Sequence, residues 1–121
     1  MLEFERIYSK PSEKITYESI AQRLRNTWPT RCESLTTSQL RAFIGSAGEV
    51  AQQDLHLGDP DLEAYVTLAL YFGYKFAADP FHAWAGKAFA LNNLEEKRHA
   101  LGAGVIAHFK AREYLFAEEQ I

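Results

Sequence analysis

Chemistry in this 121-residue chain would have to come from four histidines, a single cysteine and a few glycine- and arginine-bearing stretches. Glu96 and His99 stand three residues apart, and on a helix that spacing puts a carboxylate and an imidazole on one face, as in carboxylate-bridged di-iron bundles. Such a centre needs the same pair on a second helix and further carboxylates, whereas this sequence carries one copy. The segment Glu95-Glu96-Lys97-Arg98-His99 is therefore expected to be a solvated polar face, with no metal ligand and no cofactor. His56, beside the loop from Leu55 to Gly58, and His82, just after Pro80-Phe81, are expected as packed loop residues. Cys32 can form no internal disulfide and has no histidine partner that the sequence identifies, so a structural or incidental thiol in a reducing compartment is expected. Ser, His and Asp occur in no order resembling a nucleophile elbow. Gly102-Ala103-Gly104 lies inside a helical pattern, with neither a strand before it nor a Gly-Lys after it, so it is no phosphate loop. It is expected to be a notch for close helix packing, like Gly45 and Gly48. No catalytic residue emerges, and the protein is expected not to be an enzyme.

What remains is binding. Arg23, Arg25 and Arg31 form a modest basic run near Trp28, for which a solvated helix end is the expected state. The formal charge of -3 argues against a role dominated by nucleic-acid phosphates, whose binders show a basic patch or stripe. The aromatic load is heavy, with 2 Trp, 6 Tyr and 8 Phe. Most must be core, but Tyr71, Tyr74, Phe81, Trp84, Tyr114 and Phe116 fall where helices end or turn outward. A shared exposed patch of them would mark a protein interface. Tyr71, Tyr74, Phe81 and Trp84 are the candidate partner-binding residues.

The elements that must position these groups follow from hydrophobic spacing. With 47% hydrophobic and 24% charged residues the chain is ordinary globular material, and its length fits one domain over 1–121, with a loosely specified lead-in at 1–11 and a tail at 119–121. Ile15, Ile20, Leu24 and Trp28, with Tyr17 and Ala21 between, predict a first amphipathic helix from Ser12 to Trp28 that Pro29 stops. After a link from Thr30 to Leu35, Thr36-Thr37-Ser38-Gln39 matches a capping box. Leu40, Phe43, Ile44, Ala47, Val50 and Ala51 continue that second helix. Asp59-Pro60 supplies an N-cap and a proline at the first helical position of a central helix reaching toward Phe81. Its apolar residues cover most of its circumference, which predicts burial on several sides. Asp79-Pro80 repeats the signal for a short helix to Leu91, with Phe81, Trp84, Ala85 and Phe89 inward. Asn93 to Glu96 resembles another cap, before a last helix to about Glu118 carrying Leu101, Val105, Ile106, Phe109 and Leu115. With no strict alternation and no hairpin dipeptide, the fold class is all-α: a compact irregular bundle of about five helices. The charged N-terminus lacks an export signal's apolar core, and no apolar run is long enough for a membrane span, so a cytoplasmic protein is expected.

Two stretches carry a resemblance: LRNTWPTRCESLTTSQLRAFIGSAGEVAQQ (Leu24 to Gln53) and DLEAYVTLALYFGYKFAADPFHAWAGKAF (Asp61 to Phe89), followed by a helix with Lys97 and Leu101. From about residue 15 to 110 the chain resembles small helical proteins encoded in bacterial type VI secretion gene clusters, near spike, effector and adaptor genes. The resemblance implies an accessory role without catalysis: binding and stabilising an adaptor chaperone or a secreted effector during loading onto the VgrG-type spike. It also implies that Tyr65, Phe72, Gly73, Phe76, Asp79, Pro80, Trp84 and Ala85 are fold determinants, with Gly73 at a close crossing. The Leu57-Gly58-Asp59-Pro60 link departs from the family's shorter one. An immunity protein that neutralises a cognate toxin is the alternative, and a small metal-binding bundle using Glu96 and His99 a third.

Overall fold

The computed structural model describes residues 6–9, 16–73 and 75–119. Among these residues there is no strand, and seven α-helices follow one another: α1 (Arg6–Ser9), α2 (Tyr17–Thr27), α3 (Pro29–Glu33), α4 (Thr37–Glu49), α5 (Asp61–Phe72), α6 (Ala83–Phe89) and α7 (Leu94–Glu119). Five of them have seven residues or more, and they form a compact all-α bundle with α5 at its centre. Every residue of α5 from Glu63 to Ala69 is buried, as its apolar circumference requires. Leu24, Tyr65, Leu68 and Leu101 are fully enclosed. Each such side chain stabilises the fold by about 1.5–3 kcal/mol relative to an exposed one.

Local signals set most boundaries. Thr36 Oγ1 accepts from the Gln39 amide at 3.1 Å and the Gln39 side chain returns to the Thr36 amide at 2.9 Å, the expected capping box of α4. Asn93 Oδ1 likewise accepts from the Glu96 amide at 3.1 Å and starts α7. Here α4 runs on through a π-helical turn, Val50–Asp54, with the Leu55 amide donating to the Val50 carbonyl at 3.3 Å.

Five boundaries differ from the expectation. The first long helix starts at Tyr17, because Thr16 and Ser19 form their own capping box; residues 12–15 lie outside the described set. Pro29 ends α2 and also opens α3, where a link was expected, since a proline at the first helical position lacks only an amide that would be unpaired. Asp59 is not the cap of α5. The carbonyls of Gly58 and Pro60 accept from the amides of Leu62 and Ala64 at 2.9 and 3.1 Å, so a backbone turn does that work and the helix opens at Asp61. The central helix stops at Phe72, short of Phe81, because Gly73 adopts φ +103°, a conformation that no L side chain takes comfortably. From there a 3-10 turn, Phe76–Ala78, and a second, Pro80–His82, lead into α6, so the expected helix from Pro80 begins as 3-10 and becomes α-helical at Ala83.

The glycines divide. Gly104 on α7 is a packing notch: a Cβ there would overlap the six-membered ring of Trp84. Gly48 and Gly73 are not, with nothing within 4 Å of an added Cβ, and at Gly45 such an atom would meet only the Tyr17 hydroxyl, at 3.9 Å. The stripe of α7 is also narrower than its apolar residues imply: Leu101 and Val105 are buried, whereas Ile106 is 47% exposed.

Candidate functional site

A furrow runs between α2 and α4 on the described surface. Tyr17, the first residue of α2, is 53% exposed and stands over Gly45. On one side of its ring lies a groove of about 230 Å³ lined by Tyr17, Glu18, Ala21, Arg25, Leu40 and Arg41 among others. On the other lies one of about 310 Å³ lined by Tyr17, Ile20, Gly45, Gly48, Glu49 and Leu62 among others. The two absent side chains at Gly45 and Gly48 are what leave the second groove open. Sequence reasoning missed Tyr17 as a surface residue, since its step to Ile20 and Leu24 is the step of the buried stripe. The signal that could have found it is the capping pattern Thr16-x-x-Ser19, which makes Tyr17 the first residue of the helix.

A second feature is a continuous set of rings built from α2, α5, α6 and α7. Trp28 stacks on Tyr71 at 4.9 Å, and its indole N–H donates to the Thr67 carbonyl oxygen at 2.6 Å. Tyr71 meets Phe109 at 5.1 Å and His108 at 5.9 Å, edge to face. Phe72 then connects His108, at 4.9 Å, to Trp84, at 5.9 Å, with His82 a further 6.3 Å from Trp84. Arg31 sits 4.4 Å over the Tyr71 ring, a cation–π contact. Of the candidate partner-binding residues, Tyr71 and Trp84 are brought together here, half-buried; Tyr74 and the side chain of Phe81 lie outside the described residues. Tyr114 and Phe116 have their side chains outside it as well.

The residues singled out for chemistry are dispersed. His99 Nε2 pairs with Glu95 at 3.1 Å, one turn away, and not with Glu96. Arg98 also bonds Glu95, and these contacts, the Arg98 hydrogen bond first, hold the Glu95 carboxyl below the usual carboxylate range. No group of three or more His, Cys, Asp or Glu able to hold a metal ion occurs among the described residues. Cys32 is half-buried on α3; burial pushes its thiol up, and nearby Arg25 offsets part of that rise. A thiol held up is a weak nucleophile at neutral pH. His82 Nδ1 faces Asp79 at 3.9 Å, too long for a hydrogen bond. The best-organised polar cluster is structural. Tyr8 donates to Asp61 Oδ1 at 2.9 Å and Lys97 to Asp61 Oδ2 at 2.6 Å, tying α1, α5 and α7 together. Burial, then the Asp61 charge, push the Tyr8 hydroxyl far up, so it stays a donor. Arg23 faces the buried Glu63 at 3.5 Å.

Comparison of the chain with protein-family models, with curated proteins and with solved structures found no match. No helix among the described residues is long and apolar enough to cross a membrane.

Proposed function

We propose that the protein is a non-enzymatic protein-binding factor, and that it serves a bacterial type VI secretion system as a co-adaptor or chaperone that helps an adaptor or effector load onto the spike. The binding half of this reading rests on one observation: an aromatic side chain more than half exposed, flanked on both sides by open grooves, on a face made of two well-capped helices. Tyrosine in that setting offers a large, rigid contact with a polar tip, the kind of side chain enriched at interfaces. The secretion half rests on the resemblance of Leu24 to Gln53 and Asp61 to Phe89. The partner would lie along α2 and α4 until delivery, keeping its own apolar surface from water.

A tagged full-length chain purified from its native cells, with co-purifying proteins identified by mass spectrometry, tests both halves. A type VI adaptor, effector or spike component at near-equal amount is expected, and Tyr17→Ala is expected to lose it without changing the melting temperature. A chain that purifies alone would sink the co-adaptor reading. Rescue of toxin-expressing cells by the wild-type chain would replace it with an immunity role.

A further inference from the structure

The two grooves beside Tyr17 differ in charge. The smaller one has an apolar floor of Tyr17, Ala21 and Leu40 and a rim carrying two arginines, Arg25 and Arg41, against one acid, Glu18. Arg41 reaches Glu18 only at 3.8 Å, with both side chains well exposed, a pairing that water and salt keep weak. Arg25 makes no ion pair among the described residues, and it points from the last turn of α2 into the same groove. Thr37 contributes the first turn of α4, where unpaired amides and the helix dipole add positive potential. The larger groove carries no arginine and bears Glu49. A protein whose formal charge is -3 thus keeps a basic notch on one side of Tyr17 and an acidic one on the other.

Resting on the reading that this face docks a protein, we infer that the groove between Tyr17 and Arg41 accepts a helical segment of the partner that presents an acidic residue one turn from an apolar one. The carboxylate lies between Arg25 and Arg41, where two guanidinium forks donate charge-assisted hydrogen bonds. The apolar side chain covers Ala21 and Leu40 against the edge of the Tyr17 ring. A furrow between two helices suits a third helix, which is how amphipathic segments commonly dock. Glu18 on the rim and the apolar floor disfavour a phosphate backbone, which calls for an uninterrupted basic stripe. Because the second groove has the opposite sign, the acidic end of the segment is directed toward Arg25, and the orientation of the bound helix is fixed.

The probe is a capped synthetic Ala/Gln-based helical peptide carrying Glu and Leu at i, i+4, with matched versions in which Gln or Lys replaces Glu. Each is titrated into isotope-labelled full-length protein while the Arg25 and Arg41 side-chain signals and the Tyr17 ring are followed by NMR. The Glu peptide is expected to bind about tenfold tighter than the Gln peptide and to weaken as salt rises. The double variant Arg25→Gln, Arg41→Gln is expected to erase that preference with the melting temperature unchanged, since both side chains are exposed. Equal binding of all three peptides, shifts confined to another face, or no shift with any peptide would overturn the inference. So would tighter binding of single-stranded oligothymidylate than of the Glu peptide, or shifts that follow self-association of the chain in the peptide's absence. The two readings fail separately. If Tyr17→Ala loses the native partner but the double arginine variant keeps it, the docking face stands and the acidic segment falls. If Tyr17→Ala keeps the native partner, the docking face itself falls.

Discussion

The α2–α4 furrow and the α6–α7 seam are both built on a helix that carries glycine, yet they use it in opposite ways. On α7 the missing side chain at Gly104 is filled by the Trp84 ring, and the helices close on each other. On α4 the missing side chains at Gly45 and Gly48 are filled by nothing but the Tyr17 hydroxyl, and the surface stays open. A glycine in a helix interior costs about 1 kcal/mol relative to alanine wherever it occurs. At the seam that cost is offset by contact with a large ring; at the furrow it is left uncompensated, which is what a surface reserved for a partner would show.

The difference can be broken or sharpened by substitution. Trp84→Ala should cost most, about 3–5 kcal/mol in urea unfolding, because it empties the space above Gly104 and removes ring contacts to Phe72 and His82. A loss below about 1 kcal/mol would mean that the seam is not closed in solution. The closed half also holds Tyr65, stacked on Phe76 at 4.9 Å, whose hydroxyl burial pushes up to about 12, the Ala77 amide offsetting some of the rise and Asp54 adding to it. A raised tyrosine pKa means the folded state keeps a proton that the unfolded chain gives up near pH 10, so stability is full below that pH and falls as pH climbs toward about 12. Tyr65→Phe should remove the Tyr65 share of that fall in melting curves taken across the alkaline range, the share of Tyr8 remaining. Gly104→Ala follows, at about 1–3 kcal/mol of destabilisation from overpacking, read by the same unfolding assay. Gly48→Ala should have the opposite sign, a gain of about 0.5–1 kcal/mol, since nothing stands within 4 Å of the new methyl group. Smallest is Tyr17→Ala, within about 0.5 kcal/mol of wild type by thermal melting, although it is the change expected to abolish partner capture.

Much of the helical frame was legible in the sequence. Thr36 to Gln39 and Asn93 to Glu96 announce their helices because capping is a local bargain between a side chain and an amide three residues on. The apolar girth of α5 announces its burial for the same kind of reason, since no neighbour could leave such a helix wet. Boundaries decided by backbone conformation were less accessible. Gly73 could as well have been a close crossing, and only its positive φ shows it to be a stop. The open half was nearly illegible, because Gly45 and Gly48 look the same in sequence whether a neighbour fills them or not. Tyr17 shows the limit most clearly: it shares the helical step of Ile20 and Leu24 yet lies outside the core, because the chain bends into the helix only one residue earlier. Tyr71 and Trp84, picked out where helices end or turn outward, sit half-buried in the ring network, Trp84 inward on its helix as its spacing predicts.

Both tryptophans belong to that ring network, Trp28 at one end with its indole N–H tied to the Thr67 carbonyl and Trp84 nearer the other. Light absorbed at indole wavelengths is therefore emitted from one half of the molecule, and the furrow at Tyr17 contributes none of it. A ligand that settles on α2 and α4 without moving the bundle should leave tryptophan emission dark to its arrival. Any change in that colour on binding would be a shift passed along α2, whose Arg25 lines the groove three residues before Trp28.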